Sequence, residues 1–235
     1  PKPGLVDRAN NGSHRDMDLF RFLDSASALL PYWLRAVEIG QETSGEWPED
    51  TFRLLREAGV RAEEAMFRAT GGVNTHKGAL YSFALLLSAL GRSLTESGDP
   101  FHTAAAIAGA LPPASGTHGS AVRAQCGGVR QEAISGFPTA RHMRELLSRS
   151  GALAALTWSM SRLDDSTLVY RGGPEGLRYV QQAASALLAL PENALAPALE
   201  ALDDDLIARH LSPGGSADLL SLALFLDAAA PETWL

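Results

Sequence analysis

The sequence has little of several features that define common protein classes. Among 235 residues there is one cysteine, Cys126, which has no second cysteine for an internal disulfide or a zinc site. This usage is typical of a reducing compartment, so we expect a cytoplasmic protein. The 20 basic residues are outnumbered by 27 acidic ones, which gives a net charge of −7. Broad electrostatic binding to nucleic acid is not expected, and a polyanionic ligand would need a local basic pocket.

Long hydrophobic runs are also missing. The strongest run, Ala79 to Leu90, contains Tyr81 and two serines and is too short to span a bilayer, so it predicts a core helix. No secretion signal or membrane segment is evident. The sequence also lacks the Walker spacing of P-loop proteins and the G-x-S-x-G elbow that a Ser-His-Asp hydrolase would need.

Most of the sequence has the spacing of apolar residues that is typical of helices. No alternating run of β-branched residues is long enough to suggest a sheet, so we predict an all-α fold with one domain over residues 1–235. The first helix is expected from the N-cap Ser13 to about Leu30, and the second from Pro48 to Gly59. Further helices are predicted at residues 60–69, 79–90, 121–125, 129–135, 139–149, 152–163, 174 to about 190, and 217–229, with Ser216 as N-cap of the last.

An apolar stripe on the first predicted helix is expected to face the core. Asp24 falls on the same stripe, where a carboxylate is costly unless it is paired or coordinated. A role in a functional site and satisfaction by a nearby serine or arginine explain this position equally well. The stripe consists of Phe20, Leu23, Ser27 and Leu30.

Polar, glycine-rich segments separate the helices, and we expect them to converge on one pocket. Each also has a simpler explanation, because glycine ends helices and Asn or Asp occupies turns whatever the function. For Asn10-Asn11-Gly12 the simple turn is favoured. The segments are Lys2 to His14, Gly71 to Lys77, Thr117 to Glu132, Asp164 to Gly173 and Ser212 to Ser216.

The segment GGVNTHKG, from Gly71 to Gly78, carries the strongest binding signal. It ends where an apolar helix begins. The first N–H groups of a helix are unpaired and its dipole favours anions, so a phosphate is the natural occupant, with Lys77 as a point charge. A simple turn would need neither His76 nor Lys77.

Other candidates have two explanations each. Asp164 and Asp165 follow a predicted helix and offer hard oxygen ligands for Mg²⁺, with Arg171 close behind, although a helix-ending turn often contains aspartate. His118 can donate to a phosphate or a leaving base, or simply cap a helix. Glu63 is typical of a solvated helix face.

Taken together, motifs along the whole chain resemble those of the triphosphoribosyl-dephospho-CoA synthases. Their order and coverage match, and KPGLVDRANNG together with GGVNTHKG is far more specific than either motif alone. The motifs are Lys2 to Gly12, Gly71 to Gly78, Thr117 to Gly119, Gly136 to Pro138, Asp164 to Thr167 with Arg171 to Gly173, and Ser212 to Leu220.

This resemblance implies an all-helical enzyme that transfers the 5-triphosphoribosyl group of ATP to the ribose 2′-hydroxyl of 3′-dephospho-CoA and releases adenine. Mg²⁺ is expected with the triphosphate. The product would be the prosthetic-group precursor of citrate lyase or malonate decarboxylase, with a slight preference for malonate. The partners would be ATP and 3′-dephospho-CoA, without nucleic acid or membrane, and the apolar final helix could serve a homodimer.

The resemblance also suggests residue roles. A carboxylate would stabilise charge on the ribose or accept the hydroxyl proton, and a histidine would assist the departure of adenine. The candidates for these catalytic roles are Asp7, Asp24, Glu63, His76 and His118. The metal candidates are Asp164 and Asp165. The candidates for substrate binding are Lys2, Arg8, Asn11, Gly71, Gly72, Asn74, Thr75, Lys77, Arg130, Arg171, Gly214, Gly215 and Ser216.

Some features depart from the family pattern. The chain starts at the KPG motif, where family members commonly have an additional N-terminal segment. Thr167 stands where asparagine is frequent, Gln131 stands where a smaller residue is common, and residues 92–115 carry little resemblance. The alternatives are a nucleotide hydrolase or phosphotransferase, and a non-catalytic nucleotide-binding helical protein. Release of adenine from ATP separates the transferase from both.

Overall fold

The computed structural model describes residues 2–110 and 128–229 of the chain. Within these ranges helices are present and strands are absent, so the predicted all-α fold is confirmed. No helix in the two ranges is both long and apolar enough to cross a membrane. The helices are α1 (Leu19–Glu42), α2 (Pro48–Thr70), α3 (Lys77–Ser93), α4 (Pro100–Gly109), α5 (Gly128–Ile134), α6 (Pro138–Met160), α7 (Ser166–Leu187), α8 (Glu192–Ala208) and α9 (Gly214–Ala229).

The chain forms two compact units. Among the described residues, unit 1 comprises 2–19, 128–129 and 139–229, and unit 2 comprises 20–110 and 130–138. Each unit contains its own set of candidate functional residues. The assignment of one domain to residues 1–235, with loops that converge on one pocket, stays a prediction.

A hydrophobic cluster in unit 2 joins the first three helices. Apolar side chains of α1, α2 and α3 are removed from water together, which is the main favourable contribution to folding. Three aromatic side chains pack against this cluster from its edge. The buried members are Leu29, Ala62, Met66 and Leu80, and the aromatic ones are Tyr32, Trp33 and Phe67.

Two glycines bring α1 and α3 into close backbone contact. A Cβ atom at Gly40 of α1 would collide with the carbonyl oxygen of Ser88, and one at Gly91 of α3 would collide with that of Val37. Any larger side chain at either glycine would push the helices apart.

The first helix differs from its prediction in both bounds. α1 begins at Leu19 and continues through Pro31 to Glu42. Ser13 does not act as its N-cap, because the Ser13 hydroxyl donates to the carbonyl oxygen of Leu206 at 3.0 Å within unit 1. A proline inside a helix removes one N–H donor, and here the helix tolerates that loss.

The orientation of α1 was also predicted wrongly. The apolar stripe expected in the core is exposed, and Phe20 keeps 73% of its surface accessible. The buried face instead carries Leu29 and Ile39 together with the small residues Ser25, Ala36 and Gly40. At Gly40 the missing side chain allows the close approach of α3. Asp24 is therefore exposed, and the desolvation argument for pairing it was wrong.

The later helices agree with the sequence at some boundaries and differ at others. α2 begins at Pro48 as predicted but passes through Gly59 to Thr70. α6 is divided at Gly151, whose φ of 79° is not helical, as the glycine-separated prediction implied. Most large apolar residues of α9 are buried within the folded chain and so require no dimer to bury them: Leu219, Leu220, Leu222, Ala223 and Leu226.

Candidate active site

The glycine-rich loop of unit 2 connects α2 to α3 as predicted. Gly71 and Gly72 have φ values of 68° and 92°, a left-handed region that favours glycine. The Thr70 hydroxyl donates to the carbonyl oxygen of Val73 at 2.6 Å and closes the turn. The Asn74 side-chain oxygen accepts the N–H of Lys77 at 3.3 Å, which satisfies one N–H group at the start of α3. The loop is thus a tightly closed turn.

His76 lies just before α3 and contacts two hydroxyl groups. Its Nδ1 is 2.8 Å from the Ser25 hydroxyl oxygen and 3.2 Å from that of Thr75. The Thr75 hydroxyl in turn donates to the Ser25 oxygen at 2.7 Å. Thr75, predicted to bind substrate, therefore directs its proton within the chain. Ser25, His76 and Thr75 form one polar cluster, which we call the Ser25 cluster.

Apolar surroundings hold the His76 ring in place. The Phe22 ring forms a T-shaped contact with it, with the ring centroids 4.9 Å apart, and the backbone N–H of His76 donates to the sulfur of Met66 at 3.4 Å. Burial lowers the pKa of His76 from 6.5 to about 4. The imidazole is therefore neutral at physiological pH, so it can donate one proton and accept one.

Two of the predicted residues of unit 2 contact each other. Lys77 at the first turn of α3 forms an ion pair with Glu63 of α2. Their side chains are 53% and 30% exposed, and ion pairs of that kind contribute little stability. Lys77 can therefore exchange this carboxylate for a phosphate at small cost.

In unit 1, the carboxylate of Asp7 organises the N-terminal turn. Its oxygens accept N–H groups from Lys2 at 2.8 Å, Ala9 at 2.7 Å and Asn10 at 3.3 Å. Partial burial raises the pKa of Asp7, but these N–H donors outweigh it and hold the pKa below its usual value. Asp7 is thus a stable anion. Burial also lowers the pKa of the Lys2 ammonium, while Asp7 opposes that effect.

A second buried carboxylate, Asp203 of α8, anchors the same turn. Asp203 accepts the N–H of Gly4 and the side-chain N–H of Asn10, each at 2.7 Å. The Asn10 oxygen accepts the N–H of Gly12 at 2.6 Å, a turn that an asparagine side chain commonly makes. The KPGLVDRANNG motif therefore forms a rigid turn fixed to α8.

Three further side chains form a chain of hydrogen bonds in unit 1. The Arg171 guanidinium donates to Nδ1 of His14 at 3.0 Å and to the carbonyl oxygen of Ser13 at 3.1 Å. Nε2 of His14 lies 2.9 Å from the buried hydroxyl of Ser212. Burial, followed by the charge of Arg171, lowers the pKa of His14 from 6.5 to about 4.

Asp165 joins the starts of two helices. It is buried, and its carboxylate accepts N–H groups from Thr167 at 2.9 Å in α7 and from Ser216 at 3.0 Å in α9. Burial raises the pKa of Asp165, and the N–H donors offset part of that rise. Both oxygens are occupied, so Asp165 is a shared helix cap and does not fit an open metal site. This cap also explains why α7 begins at Ser166, although a loop was predicted up to Gly173.

The SPGGS segment packs closely against that cap. A Cβ atom at Gly215 would lie 3.0 Å from the Asp165 carboxyl carbon, and one at Gly214 would lie 3.1 Å from the Thr167 hydroxyl. Ser216 lies inside α9, so it is not the predicted N-cap. Its hydroxyl is buried without a hydrogen-bond partner among the residues that the structure describes. These glycines let the two helix starts meet.

Other predicted residues lie apart from these clusters. Arg130, on α5, is partly exposed. His118 falls outside the described residues. Between residues 2 and 110 and between 128 and 229, no group of three His, Cys, Asp or Glu residues is placed to hold a metal ion. The exposed candidates outside the glycine-rich loop are Arg8, Asn11, Asp24 and Asp164.

Four residues of these clusters were not predicted. His14 and Ser212 lie within predicted polar segments, and their positions there were the available signal. Ser25 was hidden because the wrong face of α1 was expected to be buried. Asp203 begins a run of three aspartates that is typical of a solvated helix surface, and nothing local distinguishes it.

Comparison with known proteins gives one consistent result. The sequence profile of the ATP:dephospho-CoA triphosphoribosyl transferase (CitG) family matches residues 1–234. The 2-(5''-triphosphoribosyl)-3'-dephosphocoenzyme-A synthase of Klebsiella pneumoniae is 40% identical in an alignment that covers 97% of this chain and 85% of that protein. A protein of Albidiferax ferrireducens, named "Probable 2-(5''-triphosphoribosyl)-3'-dephosphocoenzyme-A synthase", is 43% identical over 96% of this chain and 84% of its own length.

One solved structure shares the fold. It is described as a "Crystal structure of putative triphosphoribosyl-dephospho-coA synthase from Archaeoglobus fulgidus". The TM-score is 0.57, and the alignment covers 91% of this chain and all of the other. At 20% sequence identity, this likeness shows the fold alone.

Proposed function

The chain belongs to the ATP:dephospho-CoA triphosphoribosyl transferase family and is a transferase, and on that premise we propose its reaction. ATP donates its 5-triphosphoribosyl group to the ribose 2′-hydroxyl of 3′-dephospho-CoA, and adenine leaves. The names of the relatives and the family support this assignment. The observation that carries it is the loop before α3, where a neutral His76 lies beside Lys77 at a helix start.

The proposed reaction demands three things of the protein. It must bind a triphosphate without cleaving it, stabilise positive charge that develops on the ribose, and assist the departure of adenine. Helix N-termini and cations serve the first need, a carboxylate the second, and a hydrogen-bond donor the third.

In unit 2, we assign phosphate binding to Lys77 and to the first turn of α3. The N–H groups there favour an anion, and Lys77 can leave Glu63 for a phosphate oxygen. His76 supplies a neutral donor for the departing adenine. Glu63 would return to Lys77 when the phosphate leaves.

In unit 1, Arg171 is the cation best placed to bind a substrate anion. Its contacts with Ser13, His14 and the carbonyl oxygen of His210 use three of its five N–H donors. Two N–H groups therefore stay available in the part of the chain that the structure describes. The same contacts fix the guanidinium plane, so little side-chain freedom is lost on binding.

The three carboxylate candidates differ chemically. Asp7 stays ionised because backbone N–H groups stabilise its charge, which suits electrostatic stabilisation of a cationic ribose better than proton transfer. Glu63 is partly neutralised by Lys77. Asp24 is exposed. We therefore favour Asp7, and loss of adenine release in Asp7→Asn, with near-normal rates in Asp24→Asn and Glu63→Gln, would support that choice.

Of the two aspartates predicted to bind Mg²⁺, the structure favours Asp164. Mg²⁺ usually keeps several waters and uses one or two carboxylates together with substrate phosphates. The exposed Asp164 can supply such a single carboxylate, whereas Asp165 has both oxygens occupied. We assign to Asp164 a contact with Mg²⁺ held mainly by the triphosphate, where the ion would neutralise phosphate charge.

One incubation separates this function from its alternatives. The protein is mixed with ATP, Mg²⁺ and 3′-dephospho-CoA, and the nucleobase and CoA products are measured by mass. Free adenine together with a triphosphoribosyl increment on dephospho-CoA supports the transferase. ADP or AMP would indicate a hydrolase or phosphotransferase, and no product would indicate a non-catalytic nucleotide-binding protein.

The physiological use of the product is a finer question. The product would serve the acyl-carrier subunit of malonate decarboxylase or of citrate lyase, and we favour malonate slightly. Neighbouring genes of either enzyme would decide between them. Action in the cytoplasm and assembly as a homodimer stay predictions.

A further inference from the structure

The Ser25 cluster fixes where its protons point. Ser25 is fully buried and accepts a hydrogen bond from Thr75 at 2.7 Å. Its own proton then has one acceptor among the described residues, Nδ1 of His76 at 2.8 Å. If His76 donated from Nδ1 instead, the buried Ser25 proton would lack a partner, which is costly. Nδ1 of His76 is therefore an acceptor.

A neutral imidazole that accepts at Nδ1 carries its proton on Nε2. Within the described chain, Nε2 of His76 makes no hydrogen bond. It is also not one of the fully buried side-chain atoms that lack a hydrogen-bond partner. The Phe22 ring packs against the imidazole in a T-shaped contact and restrains it. The Nε2–H group is therefore accessible to solvent and has a fixed direction. Among the described residues, no acceptor competes with a substrate for this donor.

We propose that Ser25 and Thr75 are positioning residues that hold His76 in the Nε2–H form and aim this donor at the leaving adenine. The proposal rests on the proposed function. His76 would act as a neutral hydrogen-bond donor and would keep its proton, since a neutral imidazole is a very weak acid. A comparable use of a neutral histidine as an electrophile occurs in triosephosphate isomerase.

The transfer requires no change in the protonation state of His76. The 2′-hydroxyl oxygen of dephospho-CoA forms a bond to C1 of the ribose, and the bond from C1 to adenine N9 breaks. Its electron pair leaves with adenine, where the Nε2–H group stabilises the negative charge. The hydroxyl proton passes to water, and adenine takes one proton from water.

Substitutions in the Ser25 cluster test this directly. Ser25→Ala removes the donor to Nδ1, and Thr75→Val removes the hydroxyl that orients Ser25 at nearly constant volume. Thr75→Ser restores the hydroxyl. Ser27→Ala is the matched control, since Ser27 lies on the same helix and its hydroxyl donates to the carbonyl oxygen of Leu23 at 2.9 Å.

The first readout is the tautomer of His76 in the free protein. Nitrogen-15 NMR of labelled histidine side chains shows which ring nitrogen carries the proton, and His76→Gln assigns the signal. We expect the Nε2–H form in the wild type and in Ser27→Ala, and a mixture of forms in Ser25→Ala. A wild-type proton on Nδ1 would overturn the proposal whatever the activity.

The second readout is adenine release. Loss of a directed donor should lower kcat by about tenfold or more in Ser25→Ala and Thr75→Val. The KM for ATP should change little, and Thr75→Ser should restore kcat. Equal kcat in Ser25→Ala and Ser27→Ala would refute the positioning role. A wild type that shows the Nε2–H form but releases no adenine would instead overturn the proposed function.

Discussion

Arg171 donates a hydrogen bond to Nδ1 of His14 at 3.0 Å, and because arginine can only donate, this contact decides the tautomer of the histidine. His14 must then carry its proton on Nε2, from which it donates to the buried Ser212 hydroxyl at 2.9 Å. The contact links α7 to the segment before α9. A histidine suits this position because its ring accepts at one nitrogen and donates at the other.

Substitution of His14 should reveal this double role. Glutamine has an acceptor oxygen and a donor nitrogen at similar spacing, so His14→Gln should retain most of the stability. His14→Leu leaves Arg171 and Ser212 without this partner and should cost about 1–2 kcal/mol of unfolding free energy. Urea unfolding measures both, and equal stability of the two variants would contradict the assigned hydrogen bonds.

The two partly buried histidines should make the stability of the protein sensitive to acid. His14 and His76 have pKa values of about 4 in the folded protein, below the usual 6.5, chiefly because of burial. As pH falls below about 6.5, the unfolded chain binds protons that the folded protein refuses, so stability decreases toward about pH 4. Above that window the penalty is absent. Thermal unfolding at about pH 5 and about pH 7.5 measures it.

Removal of one partly buried histidine should weaken the dependence of stability on pH. His76→Gln should lose less stability between the two pH values than the wild type does. His102→Gln, at an exposed position on α4, is the control and should follow the wild type. A parallel loss in His76→Gln and wild type would show that burial of His76 does not disfavour its protonation.

The sequence predicted helix identity better than helix orientation. The start of α2 at Pro48 and the glycine turn before α3 follow from local backbone preferences, which the sequence contains. The buried face of α1 depends on its close contact with α3 through Gly40, which is a long-range property. The large residues such as Phe20 gave the stronger local signal but face solvent.

In the candidate site, too, local features could be predicted from the sequence and long-range contacts could not. Lys77 could be predicted because its loop carries the signal in consecutive residues. The role of Asp165 could not, because it depends on Ser216, far along the chain, whose N–H meets the carboxylate only in the folded unit. Ser25 of α1 and His76, just before α3, likewise lie far apart in the sequence.

Gly12 should tolerate no side chain. Its φ is +56°, and a Cβ atom would lie 2.6 Å from backbone atoms of Gly4 and Leu5. Gly12→Ala should therefore combine left-handed strain with a backbone collision and cost about 3 kcal/mol or more. Gly45→Ala, at φ +79° with open space around it, isolates the strain and should cost only about 1 kcal/mol. Comparable losses in urea unfolding would disprove the crowding.

Asp165→Asn should destabilise unit 1 strongly. The amide keeps one acceptor oxygen and turns an N–H group toward the N–H donors of Thr167 or Ser216. Loss of a buried cap shared by two helices should cost about 2–4 kcal/mol. Asp164→Asn changes an exposed neighbour and should stay within about 0.5 kcal/mol of the wild type. Thermal unfolding compares them, and a mild Asp165→Asn would show that the cap contributes little.

The ion pair of Lys77 and Glu63 should affect substrate binding more than folding. Both side chains reach solvent, so Lys77→Gln and Glu63→Gln should each change stability by less than about 1 kcal/mol. If Lys77 binds phosphate, Lys77→Gln should raise the KM for ATP by about tenfold. Glu63→Gln removes the competitor and should lower that KM or leave it unchanged.

A neighbouring pair on α2 supplies the control. Arg68 and Glu64 form an exposed ion pair at 4.0 Å within α2. Arg68→Gln removes the same charge as Lys77→Gln, so it separates a local contact from the general effect of net charge. Because screening by salt weakens long-range attraction, the KM difference between the two variants should persist at high ionic strength. An equal rise in KM for both would place the effect in the overall field and not in the loop.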